Sequence, residues 1–72
     1  MSKKKTAAEQ WRELRRGERH HIRELMLHAS VEMVKRWMAR DPTERQREVR
    51  RLWIRQMRLA ARVLREAARR GR

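Results

Sequence analysis

Apolar residues recur every three to four positions through most of this chain, which is the spacing of an amphipathic α-helix. Over residues 42–70 eight of them share one face: Val49, Leu52, Trp53, Met57, Ala60, Val63, Leu64 and Ala67. Ile54, Ala61 and Ala68 widen that face to more than half of the helix circumference. A helix this apolar needs cover on two sides, so other helices are expected to pack against it.

Residues 18–40 carry two apolar arcs on the helical wheel. The arc expected to face the core holds Ile22, Leu25, Met26, Ala29, Met33 and Trp37. The second arc, displaced by about 100–140°, consists of Leu27, Val31, Val34 and Met38. Exposed apolar surface on a small protein often marks an interface, so the second arc is a candidate contact for a protein partner or for a homodimer.

Capping signals predict where the helices begin and end. Thr6-Ala7-Ala8-Glu9 reads as a capping box, and Asp41-Pro42-Thr43-Glu44 repeats the device with proline at the first helical position. The residue before a proline is disfavoured in a helix, so one helix should stop near Arg40 and the next start at Pro42. Gly71 is expected to end the last helix.

Gly17 leaves two arrangements open for the first half of the chain. As a terminating glycine it closes a helix over residues 6–16, which gives three helical segments. The apolar phase nevertheless continues through it, which fits a kinked helix over residues 6–40 and a helical hairpin. In either case the turn at Asp41-Pro42 is the firm boundary.

The composition predicts an all-α fold. Phe, Tyr, Asn and Cys are absent, Gly and Pro together number three, and strong helix formers dominate the 72 residues. This length supports one small helical-bundle domain, which we place at residues 6–70 after a basic, disordered tail at residues 1–5. Without cysteine, neither a disulfide nor a thiolate metal site can stabilise this domain.

The strongest functional signal is a row of seven arginines, the arginine file: Arg47, Arg51, Arg55, Arg58, Arg62, Arg65 and Arg69. They fall within roughly 80° of arc, opposite the apolar face, and extend over roughly 33 Å at 1.5 Å per residue. Residues 42–70 hold ten arginines against three glutamates, and the whole chain carries a net charge of +13. Most of these cations therefore lack an acid in the chain, which indicates an external polyanion.

Several partners suit such a row. Arginine's planar fork matches phosphate, and nucleic-acid affinity comes largely from neutralising phosphates, so nucleic-acid backbone is the favoured partner. The alternatives are a solvated helix face without function, an anionic membrane surface, and an acidic protein. In the last case the second apolar arc would dock with the arginines as its rim.

Catalysis is not expected. The chain has no cysteine, its single aspartate is Asp41 at a helix cap, and no glycine-rich phosphate loop is present. We therefore expect no enzyme activity, no cofactor and no small-molecule substrate. His21, Glu24 and His28 share one helix face and are a secondary candidate for metal binding, with a solvated polar face as the alternative.

Targeting signals are also lacking. No apolar stretch approaches the ~20 residues needed to span a bilayer, and no signal-peptide core appears. The location stays unspecified, although a natural chain of this kind would be expected in the cytoplasm. The chain resembles idealised, de novo designed helical mini-proteins in three sequence features: two capping boxes, few helix-breaking residues and a composition rich in Arg, Glu, Ala and Leu. That resemblance implies a helical bundle and, for a designed binder, a protein partner.

Overall fold

The computed structural model describes residues 4–71, which form four α-helices and no strand. The helices are α1 (Ala7–Glu13), α2 (Arg16–His28), α3 (Val31–Arg40) and α4 (Glu44–Arg70). The predicted all-α class is confirmed. The prediction of three segments, or of a kinked hairpin, is wrong because the first half of the chain breaks twice.

The first break lies at Leu14 and Arg15 rather than at Gly17. Arg15 is extended, and its backbone N–H donates to the Glu18 carboxylate at 3.3 Å, which satisfies a donor at the start of α2. The Arg19 guanidinium reaches back to the carbonyls of Arg12 and Leu14, the last acceptors around α1. Gly17 lies in the first turn of α2 without a positive φ. Glu18 and Arg19 therefore stabilise the junction between α1 and α2, and Gly17 does not.

The second break, at Ala29 and Ser30, has no counterpart among the predicted boundaries. Ser30 adopts an extended backbone, and its hydroxyl accepts a hydrogen bond from the Met33 N–H at 3.2 Å. This is the geometry of a helix N-cap. Because the break changes the direction of the chain, residues before and after Ser30 no longer share one helical wheel.

The predicted turn after Arg40 is present, although a different residue caps the next helix. α3 ends at Arg40, and the Thr43 hydroxyl accepts from the Gln46 N–H at 3.2 Å, so α4 begins at Glu44 rather than at Pro42. The Asp41 carboxylate is thereby released from capping and accepts from Arg50 Nε at 3.2 Å. Gly71 follows the last residue of α4, as predicted, and its N–H donates to the Ala67 carbonyl.

The start of α1 confirms Thr6 as a cap, since its hydroxyl accepts from the Glu9 N–H at 3.1 Å. Residues 1–3 of the predicted tail lie outside the described part of the chain. Its last residue, Lys5, is tied to α1, because its ammonium pairs with Glu13 and its carbonyl accepts from the Gln10 amide.

All three shorter helices pack against α4. The central apolar cluster joins Ala29 and Val34 to Ile54 and Met57 of α4, and Trp37 and Trp53 pack against it. α3 thus packs against the first half of α4, around Ile54 and Met57. α1 reaches the second half, where the Glu66 carboxylate accepts from the Ala7 N–H at 3.4 Å. None of the helices in this described region combines the length and apolar character required to cross a bilayer.

Candidate polyanion-binding surface

The arginine file lies along one side of α4. Arg47 is half-buried, and the other six members are exposed. A single uninterrupted helix positions them all, because Thr43 caps its start and no residue within it breaks the hydrogen-bond ladder. The axial rise of roughly 1.5 Å per residue holds neighbouring members of the row about one turn apart.

Glu44 engages the first two members of the file. Its carboxylate accepts from Arg47 Nε at 3.1 Å and from an Arg51 guanidinium nitrogen at 2.8 Å. These hydrogen bonds, that from Arg51 first, hold the pKa of Glu44 below its ordinary value of 4.5. Arg47 also donates to the Asp41 carbonyl at 3.2 Å. Two of the seven arginines are therefore occupied within the protein.

The other five members have no ion pair or hydrogen-bond acceptor among residues 4–71: Arg55, Arg58, Arg62, Arg65 and Arg69. Glu66, the nearest acid in sequence to Arg62, Arg65 and Arg69, accepts a hydrogen bond from the Ala7 N–H at the start of α1 instead. Its second carboxylate oxygen is buried without a hydrogen-bond partner in this region. The Glu66 carboxylate is thus engaged with α1 and pairs with none of the arginines of the file in this region.

The free arginines border a shallow trough on the surface of α4. Its lining residues are Arg55, Arg58, Ala61, Arg62 and Arg65, and its volume is about 500 Å³. A smaller depression beside it is lined by Arg62, Arg65, Glu66 and Arg69. Ala61 contributes only a methyl group between long side chains, which leaves space above the helix backbone. Ala61 was predicted to lie on the apolar face, but its position next to Arg58 and Arg65 on the helical wheel is a signal for its place in the trough.

Arg50 has a structural role that sequence analysis did not assign. It forms an ion pair with the largely buried Asp41, and its guanidinium lies over the Trp53 ring at 4.4 Å and the Trp37 ring at 5.6 Å. Such cation–π contacts with a desolvated arginine are favourable. Arg50 therefore joins α3, the turn and α4, and is not available to an external anion as the free arginines are.

Acidic residues of the α1–α2 region border the other edge of the file. Glu13 and Glu18 line a groove together with Arg55 and Arg62. The floor of this groove includes Leu59, which α1 helps to bury although sequence analysis left it off the apolar face. This edge of the file is consequently less positive than the edge at Ala61.

The second apolar arc does not form one accessible surface. Val34 is fully buried in the central cluster, and Val31 and Met38 pack against it, whereas Leu27 is 75 % exposed. The expectation that these four residues line a protein interface is therefore not supported by their placement. The cause is the break at Ser30, which separates Leu27 on α2 from the three residues on α3.

The secondary metal candidate is not assembled either. His21 lies against Trp53 with the ring centres 5.4 Å apart, and Glu24 approaches His20 rather than His21. Over residues 4–71 no three His, Cys, Asp or Glu side chains gather closely enough to hold a metal ion. His21, Glu24 and His28 share a helix without converging on one point.

Comparisons with protein-family models, with curated proteins and with solved structures found no match to this chain.

Proposed function

We propose that this protein is a non-enzymatic module that binds the phosphate backbone of a nucleic acid through the arginine file. The observation that carries the proposal is the trough, where four arginines without internal partners lie exposed around Ala61. Each guanidinium can donate two parallel hydrogen bonds to a phosphate. The trough is therefore suited to phosphate oxygens that arrive from outside.

Electrostatics favours a polyanion over a single small anion. Like charges one helical turn apart repel, and this repulsion is relieved when several are neutralised together. A nucleic acid offers a regular row of phosphates, and its counterions are released when cations replace them. An extended row of free arginines gains more from such a ligand than from one isolated phosphate.

A salt titration tests the proposal directly. Binding to labelled DNA and RNA can be measured by fluorescence anisotropy. The logarithm of the association constant should fall linearly with the logarithm of the salt concentration, with a slope of roughly 0.7–0.9 per phosphate neutralised. If no DNA or RNA probe binds at about 50 mM salt, where such contacts are strong, the proposal is wrong.

A quadruple variant and a matched control locate the surface. Replacing the four arginines of the trough by glutamine removes four charges, and we expect affinity to fall by roughly 10²–10³-fold with helicity retained. The control replaces four exposed arginines elsewhere and changes the net charge equally: Arg12, Arg16, Arg36 and Arg40. If both variants lose the same affinity, binding depends on total charge and the trough is not the site.

A further inference from the structure

The second half of α4, residues 58–70, is open to solvent on one side, although Leu59 and Ala60 are buried. The apolar contacts of α3 with α4 involve Trp53, Ile54 and Met57. Beyond them Leu64 is 65 % exposed, and residues 67–70 are all exposed. α1 and α2 pack on the other side, where Trp11 and Met26 line a cleft with Ala60, Val63 and Leu64, so Leu64 lies at the border of the open side. Residues 58–70 therefore project one open side into solvent.

The open side is broad and has small residues next to its arginines. At 100° per residue, Leu64, Ala68, Ala61 and the free arginines cover roughly 180° of the circumference. Ala61 and Ala68 lie seven positions apart and therefore almost above one another. Ala68 is exposed and Ala61 half-buried. Along this line another molecule can approach the helix backbone closely while the arginines reach past it.

We propose that residues 58–70 of α4 enter the major groove of a B-form DNA duplex. This inference rests on the proposed function and names its ligand class. The major groove, about 12 Å wide, admits an α-helix, and residues 58–70 span roughly 20 Å. Ala61 and Ala68 face the base-pair edges, and Arg58, Arg62 and Arg65 extend to phosphates at the groove wall. Contacts of this type position a helix on the duplex, and they add only modest sequence preference.

Single strands are disfavoured because the protein offers no free aromatic platform. Proteins that bind single strands stack successive bases on exposed aromatic rings. All three tryptophans of the chain are half-buried. Arg23 lies over Trp11, and Arg50 lies over both Trp37 and Trp53, with His21 against Trp53 as well. The rings are already occupied by the protein's own side chains.

Duplex RNA is disfavoured by its shape. The A-form major groove is deep and narrow and excludes protein elements that B-form DNA admits. Backbone contact alone would not distinguish the two duplexes strongly, because both present closely spaced phosphates. A preference for DNA duplex over RNA duplex is therefore the signature of helix entry.

Three probes of one base sequence provide the test: a DNA duplex, single-stranded DNA and an RNA duplex, at the same salt concentration. We expect the DNA duplex to bind at least about tenfold more tightly than the other two. Equal affinity for all three, lost in the quadruple arginine variant, would overturn groove entry and leave the proposed function standing. Absence of binding to every probe would overturn both.

Ala68→Trp tests the contact itself, because a bulky ring on the open side blocks the groove without removing a charge. We expect duplex-DNA affinity to fall by about tenfold while single-strand affinity is unchanged. The matched control is Ala39→Trp, at an exposed alanine of α3, which should leave both affinities unchanged. Circular dichroism checks that both variants fold. Unaltered duplex affinity in Ala68→Trp would overturn the proposal.

A chemical footprint gives a second readout that needs no variant. Dimethyl sulfate methylates guanine N7, which lies in the major groove. Bound protein should protect this atom at the guanines it covers. Full N7 reactivity in the saturated complex would contradict entry into the major groove.

Discussion

The two halves of α4 carry the same arginine pattern but use it differently. In residues 44–57, Arg47 and Arg51 bind Glu44 and Arg50 is held by Asp41 and two tryptophans, which, within residues 4–71, leaves Arg55 as the free member of the file in this half. In residues 58–70 the arginines of the file have no internal partner within the described chain. In the first half α3 packs around Ile54 and Met57, although Val49 and Leu52 are 41 % and 45 % exposed. In the second half Leu64 is 65 % exposed and residues 67–70 are all exposed.

This difference shows that the immediate surroundings decide whether an arginine stabilises the fold or remains free for a ligand. In the first half Glu44 pairs with Arg47 one turn away and with Arg51 two turns away. In the second half the equivalent acid, Glu66, is drawn to the N-terminus of α1, where a carboxylate is favoured by the helix dipole and an unpaired N–H. The arginines next to it are left without an ion pair in the described chain.

The largest expected effect separates the halves by function. Replacing Arg58, Arg62 and Arg65 by glutamine should lower nucleic-acid affinity by roughly 10²-fold at low salt. The same replacement at Arg47, Arg50 and Arg51 removes equal charge, and we expect a loss below about tenfold, because these groups already have acceptors. Anisotropy titrations measure both. Equal losses would show that the halves do not differ as ligand-binding surfaces.

A second comparison concerns stability. Met57 lies in the first half of α4 and is 3 % exposed. Met57→Ala should lower the free energy of unfolding by about 2–4 kcal/mol, because the variant loses buried apolar surface and leaves a cavity. Leu64→Ala removes a side chain that is 65 % exposed, and we expect less than about 1 kcal/mol. Urea denaturation followed by circular dichroism measures both. Similar losses would mean that the second half is covered in solution.

A smaller effect is expected at Ser30, which caps the start of α3, the helix that packs against the first half of α4. Ser30→Ala removes the hydroxyl that caps α3 and should lower the free energy of unfolding by about 1 kcal/mol. Ser30→Thr retains a hydroxyl and is the control. Since Ser30 is not among the residues that line the trough, nucleic-acid affinity of the folded protein should not change. A neutral Ser30→Ala variant would argue against a helix start at this serine.

The smallest expected effect is a pH dependence at Glu44. In the folded protein Arg51 and Arg47 lower the pKa of the Glu44 carboxyl group below 4.5. The ion pair therefore stabilises the fold at pH values above 4.5, and this stabilisation is lost as the pH falls through the lowered pKa. An NMR titration of the Glu44 carboxyl group should therefore have its midpoint below 4.5. Replacing both arginines by glutamine should return the midpoint towards 4.5. An unchanged midpoint would contradict the pairing.

The helical class, the turn after Arg40 and the exposed row of α4 are predictable from the sequence, because each depends on local signals. Caps, a proline and a 3.6-residue period act within a few positions of the chain. The breaks at Leu14 and Ser30 were missed. In both places the apolar period continues through the break, and a competing side-chain hydrogen bond ends the helix.

The candidate site was only partly predictable for a similar reason. The helical wheel places the seven arginines on one face. It does not show that Glu44 pairs with two of them or that Glu66 accepts a hydrogen bond from α1. It also placed Val34 on an exposed arc, whereas the direction of α3 buries it completely. Both outcomes depend on which helices meet, and no periodicity within one helix contains that information.

The amino-acid sequence by itself therefore determined an all-α protein with an excess of arginine and an aligned cationic face on its last helix. These properties follow from composition and helical geometry alone. The tertiary structure decided which arginines remain free, which apolar arc is buried and which side of α4 stays open. Those choices depend on how α1, α2 and α3 pack on α4, since packing brings together residues that are distant in the chain.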